Sequence, residues 1–384
     1  MDPLSLYRYW NPGKLIFGPN SINELKKEIG SKEIPLITTD EGIARSGILK
    51  KVTDLLEEMG IQHFVFDKVE PDPSLEVVEK ASNAYRHDGC TLVIGLGGGS
   101  SIDVAKAVGI GGSQEGSLVE YAAGKPIEGT LPPIYAIPTT AGTGSEVTAV
   151  SIISDHENKL KIPIRNPQLI PKVAILDPLL LGSIPSKIAA ETGADALSHA
   201  IESYVGLGSH ALTDALALAA IRMISQNVVK LMANPDDVEV AGQMLLASCM
   251  AGMCFNNAGL GLVHSLAHPI GAYFHVPHGL ACALFLPHVM EFNASVCPQK
   301  FASIADTMAK NVSGLKREDA LEQAVFLIRD LLQRMGLPKK LSQLGIQFRL
   351  DPKMVDDVLA ATPTRNNPRK ADRVQIAKLF ETAA

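Results

Sequence analysis

Between Ala241 and Met290 the chain carries no Asp, Glu, Lys or Arg, and five of its ten histidines fall in that stretch: His264, His268, His275, His278 and His288. A run of that length without charge must be covered, either by lipid or by the rest of the protein. A membrane span is disfavoured. Asn256, Asn257, Pro269, Pro277 and the histidines interrupt the run, and hydrocarbon penalises such groups heavily. The stretch is therefore expected to form the helical core of a soluble domain. Upstream, Asp195 and His199 stand four apart in the strongly helical segment ETGADALSHAIE. Histidines gathered in an apolar interior, with a carboxylate arriving from elsewhere, point to a buried divalent metal.

The first half of the chain reads differently. Short apolar strands are expected at 34–40, 62–67, 91–99, 133–140 and 173–177, separated by helices at Ile48–Met59, Ser74–His87 and from Asp103 to Ile110. Alternating strands and helices, with near-continuous apolar strands, imply a parallel sheet covered on both faces. After Pro178 helical periodicity dominates, with segments expected at Pro185–Tyr204, Leu212–Met232, Val238–Asn256, Leu260–Ala272, Leu280–Asn293, Gln299–Lys310, Ala320–Met335 and Pro352–Ala361. The expected architecture is an α/β domain over residues 1–180 followed by an all-helical domain over 181–384.

Two loops in the α/β half suit a nucleotide. GLGGGSSIDVAK follows a strand and opens a helix, so backbone N–H groups at a glycine turn and a helix N-terminus can attract a pyrophosphate. Its spacing departs from the usual dinucleotide fingerprint, since Gly95-x-Gly97-x-x-Ser100 ends in serine and follows the third strand, not the first. The second loop, from Pro138 to Glu146, offers the hydroxyls of Thr139, Thr140 and Thr143, with Thr148 just beyond, for a diphosphate or a nicotinamide ribose. Asp40 ends the first strand. There a carboxylate can accept from a ribose 2′-hydroxyl and would repel a 2′-phosphate, favouring NAD over NADP, although an ordinary strand-end cap explains it as well.

In the helical half, Asp195 and His199 share one helix face, as do His264 and His268. His278 follows in FHVPHG, where Pro277 and Gly279 would fix its approach. A carboxylate with several imidazoles suits Fe(II), Zn(II) or related ions and argues against Mg or Ca. The spacing alone leaves open which of His264, His268 and His278 bind. His210 reads as a helix-start residue, and His63, His87 and His156 have no partner pattern.

Composition fits an intracellular enzyme. The net charge of −6 offers no case for nucleic acid or an anionic membrane. Five cysteines without a C-x-x-C pair do not form a disulfide framework, and Cys90, Cys249, Cys254, Cys282 and Cys297 read as small buried hydrophobes. The N-terminus, MDPLSLYRYWNPGKLIFG, lacks the basic and apolar regions of a signal peptide, so a cytoplasmic location is expected.

Taken together, GGGSSIDVAKAVG, PTTAGTGSEVT, ILDPLL, TGADALSHAIESYV and GLVHSLAHPIGAYFHVPHG resemble the iron-containing (group III) alcohol dehydrogenase family over almost the whole chain. The resemblance implies a Rossmann-like N-terminal dinucleotide-binding domain and an all-α C-terminal metal-binding domain, the plan also of dehydroquinate synthase. It makes Asp195, His199, His264 and His278 the metal ligands and leaves His268 beside the site, as a candidate proton relay or packing residue. Asp40 matches the ribose-binding acid and Gly97, Gly98, Gly99 and Ser100 the diphosphate loop. Thr139, Thr140 and Thr148 match the second cofactor loop, and Lys161 a lysine near the nicotinamide ribose. Asp72, Asp103, Thr143 and Leu180 complete the cofactor side. Three positions depart from relatives. Ser101 stands where proline is frequent, Asp72 where asparagine is frequent, and His275 where residues vary, which ties it to substrate choice.

The implied activity is reversible hydride transfer between NAD and small primary alcohols or diols, with Fe(II), or alternatively Zn(II), as Lewis acid. Uncharged residues such as Phe255, Leu260 and Phe274 would favour weakly polar substrates, and no arginine clamp for a carboxylate is evident. A homodimer or higher homo-oligomer is usual in such a family. Glycerol dehydrogenase-like chemistry, a hydroxyacid–oxoacid transhydrogenase and a catalytically silent NAD-binding subunit are the alternatives.

Overall fold

In a computed structural model the described residues are 7–156, 160–309 and 317–384. The first six residues, part of the stretch tested for a signal peptide, and Lys310, the expected end of one helix, lie outside them. The strands are β1 (Lys14–Phe17), β2 (Pro35–Thr38), β3 (Phe64–Phe66), β4 (Leu92–Gly97), β5 (Ile134–Pro138), β6 (Val150–Asp155), β7 (Leu160–Arg165) and β8 (Val173–Leu176). Six of them form one sheet in the order β1-β8-β5-β4-β2-β3, every pairing parallel, while β6 and β7 form a separate antiparallel pair.

Helices α1 (Leu25–Glu28), α2 (Glu41–Arg45), α3 (Ile48–Glu58), α4 (Leu75–His87), α5 (Gly99–Gly111) and α6 (Leu118–Ala122) accompany the sheet. Strand alternation divides the core between the two faces. On β4, Leu92, Ile94 and Leu96 pack with Val52, Leu55 and Leu56 of α3. Val93 points the other way, into a cluster with Val78 and Ala81 of α4 and Val104 and Val108 of α5. Apolar side chains on both faces explain why β4 reads as a continuous apolar run.

The helical half contains α7 (Ser186–Val205), α8 (Ala211–Ala233), α9 (Val238–Ala258), α10 (Leu262–Phe274), α11 (His278–Asn293), α12 (Pro298–Met308), α13 (Arg317–Arg334), α14 (Pro352–Ala360), α15 (Thr362–Asn366) and α16 (Arg373–Ala383). Two compact units emerge. One comprises Trp10–Ile184 with Pro235–Leu245, and the other Pro185–Asn234 and Leu246–Ala384 together with Tyr7, Arg8 and Tyr9. The start of α9 thus clusters with the sheet. By length and composition α8 and α9 reach the threshold of a membrane span, but two thirds of the apolar window of α9 is buried within the protein (67%), as in a core helix.

Several elements differ from the sequence expectation. α5 starts at Gly99 rather than Asp103, because the glycines and serines that argue against a helix interior serve as its first turn. β1 went unpredicted because its residues are mostly exposed and show no buried run; it is fixed by pairing with β8. The β6–β7 pair was missed because Ser and Pro interrupt its apolar pattern. α16 was also missed, although Ile376, Leu379, Phe380 and Ala383 form a helical stripe and Asp372 with Gln375 a capping box.

Candidate metal centre and dinucleotide loops

α7 carries Asp195, His199 and Glu202 at i, i+4 and i+7, a single stripe on one face. α10 supplies His264 and His268, and α11 opens with His278 behind Pro277 as its N-cap. The start of α11 sits directly on α7. A Cβ on Gly279 would collide with the Glu191 carbonyl oxygen and lie 3.2 Å from Asp195 Cβ. Only glycine permits that approach, and the approach brings His278 to Asp195.

The result is convergent. Asp195 Oδ1 lies 3.6 Å from His199 Nε2, 3.6 Å from His264 Nε2 and 3.5 Å from His278 Nε2. Both Asp195 Oδ1 and His264 Nε2 are buried and have no hydrogen-bond partner among the described residues. Orphaned buried polar atoms are rare because each costs free energy. Donors about 2.1 Å from one divalent ion stand roughly 3.4 Å apart at tetrahedral angles, so a cation among these atoms would satisfy them all. The donor chemistry and spacing fit the ion.

Glu202 sets the orientation of His264. Its Oε2 accepts from His264 Nδ1 at 2.5 Å, and its Oε1 accepts from the Val263 N–H at 2.6 Å. With Nδ1 protonated, Nε2 presents its lone pair toward Asp195. Electrostatics agree with a cation site. Burial opposes ionisation of Asp195, yet the imidazoles of His199, His278 and His264 hold its carboxyl well below the usual range. Burial likewise opposes a proton on His264, but Cys282, Glu202 and Asp195 raise it well above the ordinary value.

Two residues here escaped the sequence reading. Glu202 has no metal-ligand spacing of its own, although its position seven residues after Asp195 was a usable signal. Cys282, read as a small hydrophobe, is fully buried but lies within the donor cluster, its sulfur 3.7 Å from His278 Nε2. Asp195, His264, His278 and Cys282 have donor atoms all within 4.8 Å of one another, and among the described residues neither His199 nor His268 belongs to that group. The His268 ring stacks beside His278 at 5.5 Å. Phe255 lies against His199 with ring centroids 4.5 Å apart, whereas Phe274 packs on Phe348. His210 is the N-cap of α8 and stacks on Tyr7, and His275 caps α10 at φ 55°.

In the sheet unit the order of strands reverses between β2 and β4, which are neighbours. Ligands of open parallel sheets bind beyond the carboxyl ends of strands at such a switch point. Asp40 follows β2, Gly97 ends β4 with Gly98, Gly99 and Ser100 directly after it, and Thr139 and Thr140 follow the next strand, β5. Gly97 takes φ +143°, and a Cβ there would lie 2.6 Å from Ser101 Oγ and 3.4 Å from Asp40 Oδ2, so the turn and the acid are adjacent. Asp40 Oδ1 meanwhile accepts from the Ile43 N–H at 3.0 Å, capping α2. Thr140 and Thr143 lie against Gly98 and Gly99 respectively.

Other expected cofactor residues make contacts within the sheet unit. Asp103 accepts from Ser145 Oγ at 2.6 Å and from the Ile152 N–H at 3.0 Å. The fully buried Lys106 donates to Ser145 Oγ, Thr148 Oγ1 and the Val150 carbonyl at 2.8, 3.0 and 2.8 Å, which engages the Thr148 hydroxyl internally. Lys161 pairs with Asp72 at 2.7 Å and donates to Ser154 Oγ at 2.9 Å. Leu180 is 2% exposed and packs in the core on the α3 face.

Two family models match the chain. Residues 12–178 match the model of the iron-containing alcohol dehydrogenase family, and residues 189–384 match the C-terminal part of the Fe-containing alcohol dehydrogenase family. The chain is 38% identical to 1,3-propanediol dehydrogenase of Klebsiella pneumoniae, covering 98% of this chain and 99% of that protein. It is 35% identical to the NAD-dependent methanol dehydrogenase of Bacillus methanolicus, over 98% and 99% of the two chains. The crystal structure of a 1,3-propanediol oxidoreductase superposes with a TM-score of 0.95 at 38% identity, covering 99% of this chain and all of that one (100%). With its buried Asp–His cluster and its loops at the sheet switch point, this chain belongs to the iron-containing alcohol dehydrogenase family.

Proposed function

We propose that this chain, a metal- and NAD(H)-dependent alcohol dehydrogenase, acts on small primary alcohols or short diols and the corresponding aldehydes, with iron held by Asp195, His199, His264 and His278. The observation that carries the reading is the convergence of three imidazole nitrogens on the buried Asp195 Oδ1 at 3.5–3.6 Å. In this reading residues 1–180 bind the dinucleotide and 181–384 carry the metal and the substrate. When bound, the ion supplies Lewis acidity toward the alcohol or carbonyl oxygen, and NAD supplies the hydride acceptor.

The residues of the chain position and insulate. Glu202 keeps His264 in the tautomer that offers Nε2, and Phe255 gives the site an apolar wall beside His199. Gly97, Gly98, Gly99 and Ser100, with Thr139, Thr140 and Thr143, receive the diphosphate at the N-terminus of α5. Asp40 accepts from the adenosine ribose through Oδ2, while Oδ1 stays on its helix cap. Lys161, paired with Asp72, approaches the nicotinamide ribose, and Asp103, Thr148 and Leu180 support the loops from beneath. His268, beside His278, passes the alcohol proton toward solvent.

The location in this reading is cytoplasmic. The chain assembles as a homo-oligomer. Among the described residues β1 is an edge strand with exposed Leu15 and Phe17, and such an edge is ordinarily protected. Sedimentation at working concentration reads the assembly directly, and a monomer would refute it.

The decisive assay is anaerobic NADH consumption with short aldehydes, comparing chelated protein with protein reloaded with Fe(II) or Zn(II). Turnover restored by metal is expected. Folded protein that binds NADH yet turns over no aldehyde with any metal would overturn the reading. The same assay on His268→Ala should shift the pH profile, and an unchanged rate and profile would remove His268 from proton transfer.

A further inference from the structure

Cys282 stands one helical turn beyond His278 on α11, so both side chains share the face that meets α7. Buried thiols ordinarily pack as small hydrophobes. This one is surrounded by donors, with its sulfur 3.7 Å from His278 Nε2 and within 4.8 Å of the donor atoms of Asp195 and His264. A sulfur about 2.3 Å and an imidazole nitrogen about 2.05 Å from one ion stand roughly 3.6 Å apart at a near-tetrahedral angle. The 3.7 Å contact is a thiol–imidazole hydrogen bond, and its length also suits two donors to one ion. None of Cys90, Cys249, Cys254 and Cys297 belongs to such a group among the described residues.

We propose that Cys282 is a thiolate donor to the same ion as Asp195, His264 and His278, which gives this enzyme a mixed oxygen, nitrogen and sulfur centre. The assignment rests on the metal role proposed for those residues. Coordination displaces the thiol proton to solvent and adds a negative charge to the donor set. Because thiolates select softer ions, the site then holds zinc or cobalt more tightly than the Asp–His set would alone.

Two spectroscopic readouts on the intact protein test this without relying on turnover. Zinc K-edge absorption of the loaded wild type should contain a sulfur shell near roughly 2.3 Å besides the nitrogen and oxygen shell. Cobalt(II) protein should show a near-ultraviolet sulfur-to-metal charge-transfer band together with visible ligand-field bands. Cys282→Ser and Cys282→Ala should lose the charge-transfer band and keep the ligand-field bands, and Cys297→Ala should keep both. A wild-type shell of nitrogen and oxygen only, or a charge-transfer band that survives in Cys282→Ala, would overturn the assignment and leave the Asp–His site standing. If the wild type gave no ligand-field bands at all, both the assignment and the metal reading beneath it would fall.

Discussion

The carboxylate of Glu202 accepts from two donors at once, the His264 ring and the Val263 backbone, and is 3% exposed. Glutamine at this position keeps the shape but replaces one oxygen with an amide nitrogen. One of the two donors must then face another donor, and the His264 ring loses its charged acceptor. Removing such a partner of a metal-binding imidazole typically weakens metal affinity by about 10–100-fold. Glu202→Gln should therefore lose metal by that factor in chelator competition, with circular dichroism unchanged. An unaltered affinity would show that Glu202 does not tune the ring. The residue also marks the limit of sequence reading at this scale. Asp195, His199, His264, His268 and His278 were legible as candidate donors because i,i+4 pairs and a Pro–His–Gly turn are local patterns, and only the family resemblance set His268 apart from the rest. The pairing of Glu202 with His264, and the arrival of Cys282 beside them, depend on α7, α10 and α11 packing together, which no local pattern encodes.

Helix α5 illustrates the element scale. Its first turn is the glycine loop, and one of its interior residues, Lys106, reaches the second loop and β6 through three hydrogen bonds. Burial pushes the Lys106 ammonium down to about 8, against the pull of Asp103 and Glu146. Between that value and the ordinary 10.5 the unfolded chain binds more protons than the folded one, so stability rises with pH across the window. Below about pH 8 the fold carries the whole cost, on the order of 3 kcal/mol for this fully buried group. Denaturant unfolding from pH 7.5 to 10 should thus show wild-type stability rising relative to that of Lys106→Met. Parallel pH curves for the two proteins would refute the assignment to Lys106. Glu146, raised by burial to about 7, contributes with the opposite slope at lower pH. Cys90 and Cys297, raised by burial to about 11, oppose the lysine above pH 9, so its share is read from the difference between the two curves. Sequence made β2, β4, β8 and the long helices legible through their apolar periods. It failed at β1 and at the start of α5, where strand pairing and loop closure, rather than periodicity, decide the structure.

At the scale of the whole molecule, the donors to the proposed ion come from residues 195–282 alone, all within one compact unit. Metal binding is then part of that unit's folding free energy as well as of its chemistry. At free metal about 100-fold above the dissociation constant, a ligand that binds only the native state adds about 2.7 kcal/mol. For a unit of this size that corresponds to roughly 5–10 °C in Tm. Chelation should therefore lower Tm by that amount and abolish aldehyde-dependent NADH consumption together, and Fe(II) or Zn(II) should restore both. Asp195→Asn removes the charge on which three imidazoles converge, so its Tm should not respond to metal. Scanning calorimetry and the NADH assay on the same samples separate the possible roles. A metal-dependent Tm with no turnover in any state would make the ion structural. Turnover that persists after complete chelation would remove the metal from the reaction, and with it the function assigned to the Asp–His cluster.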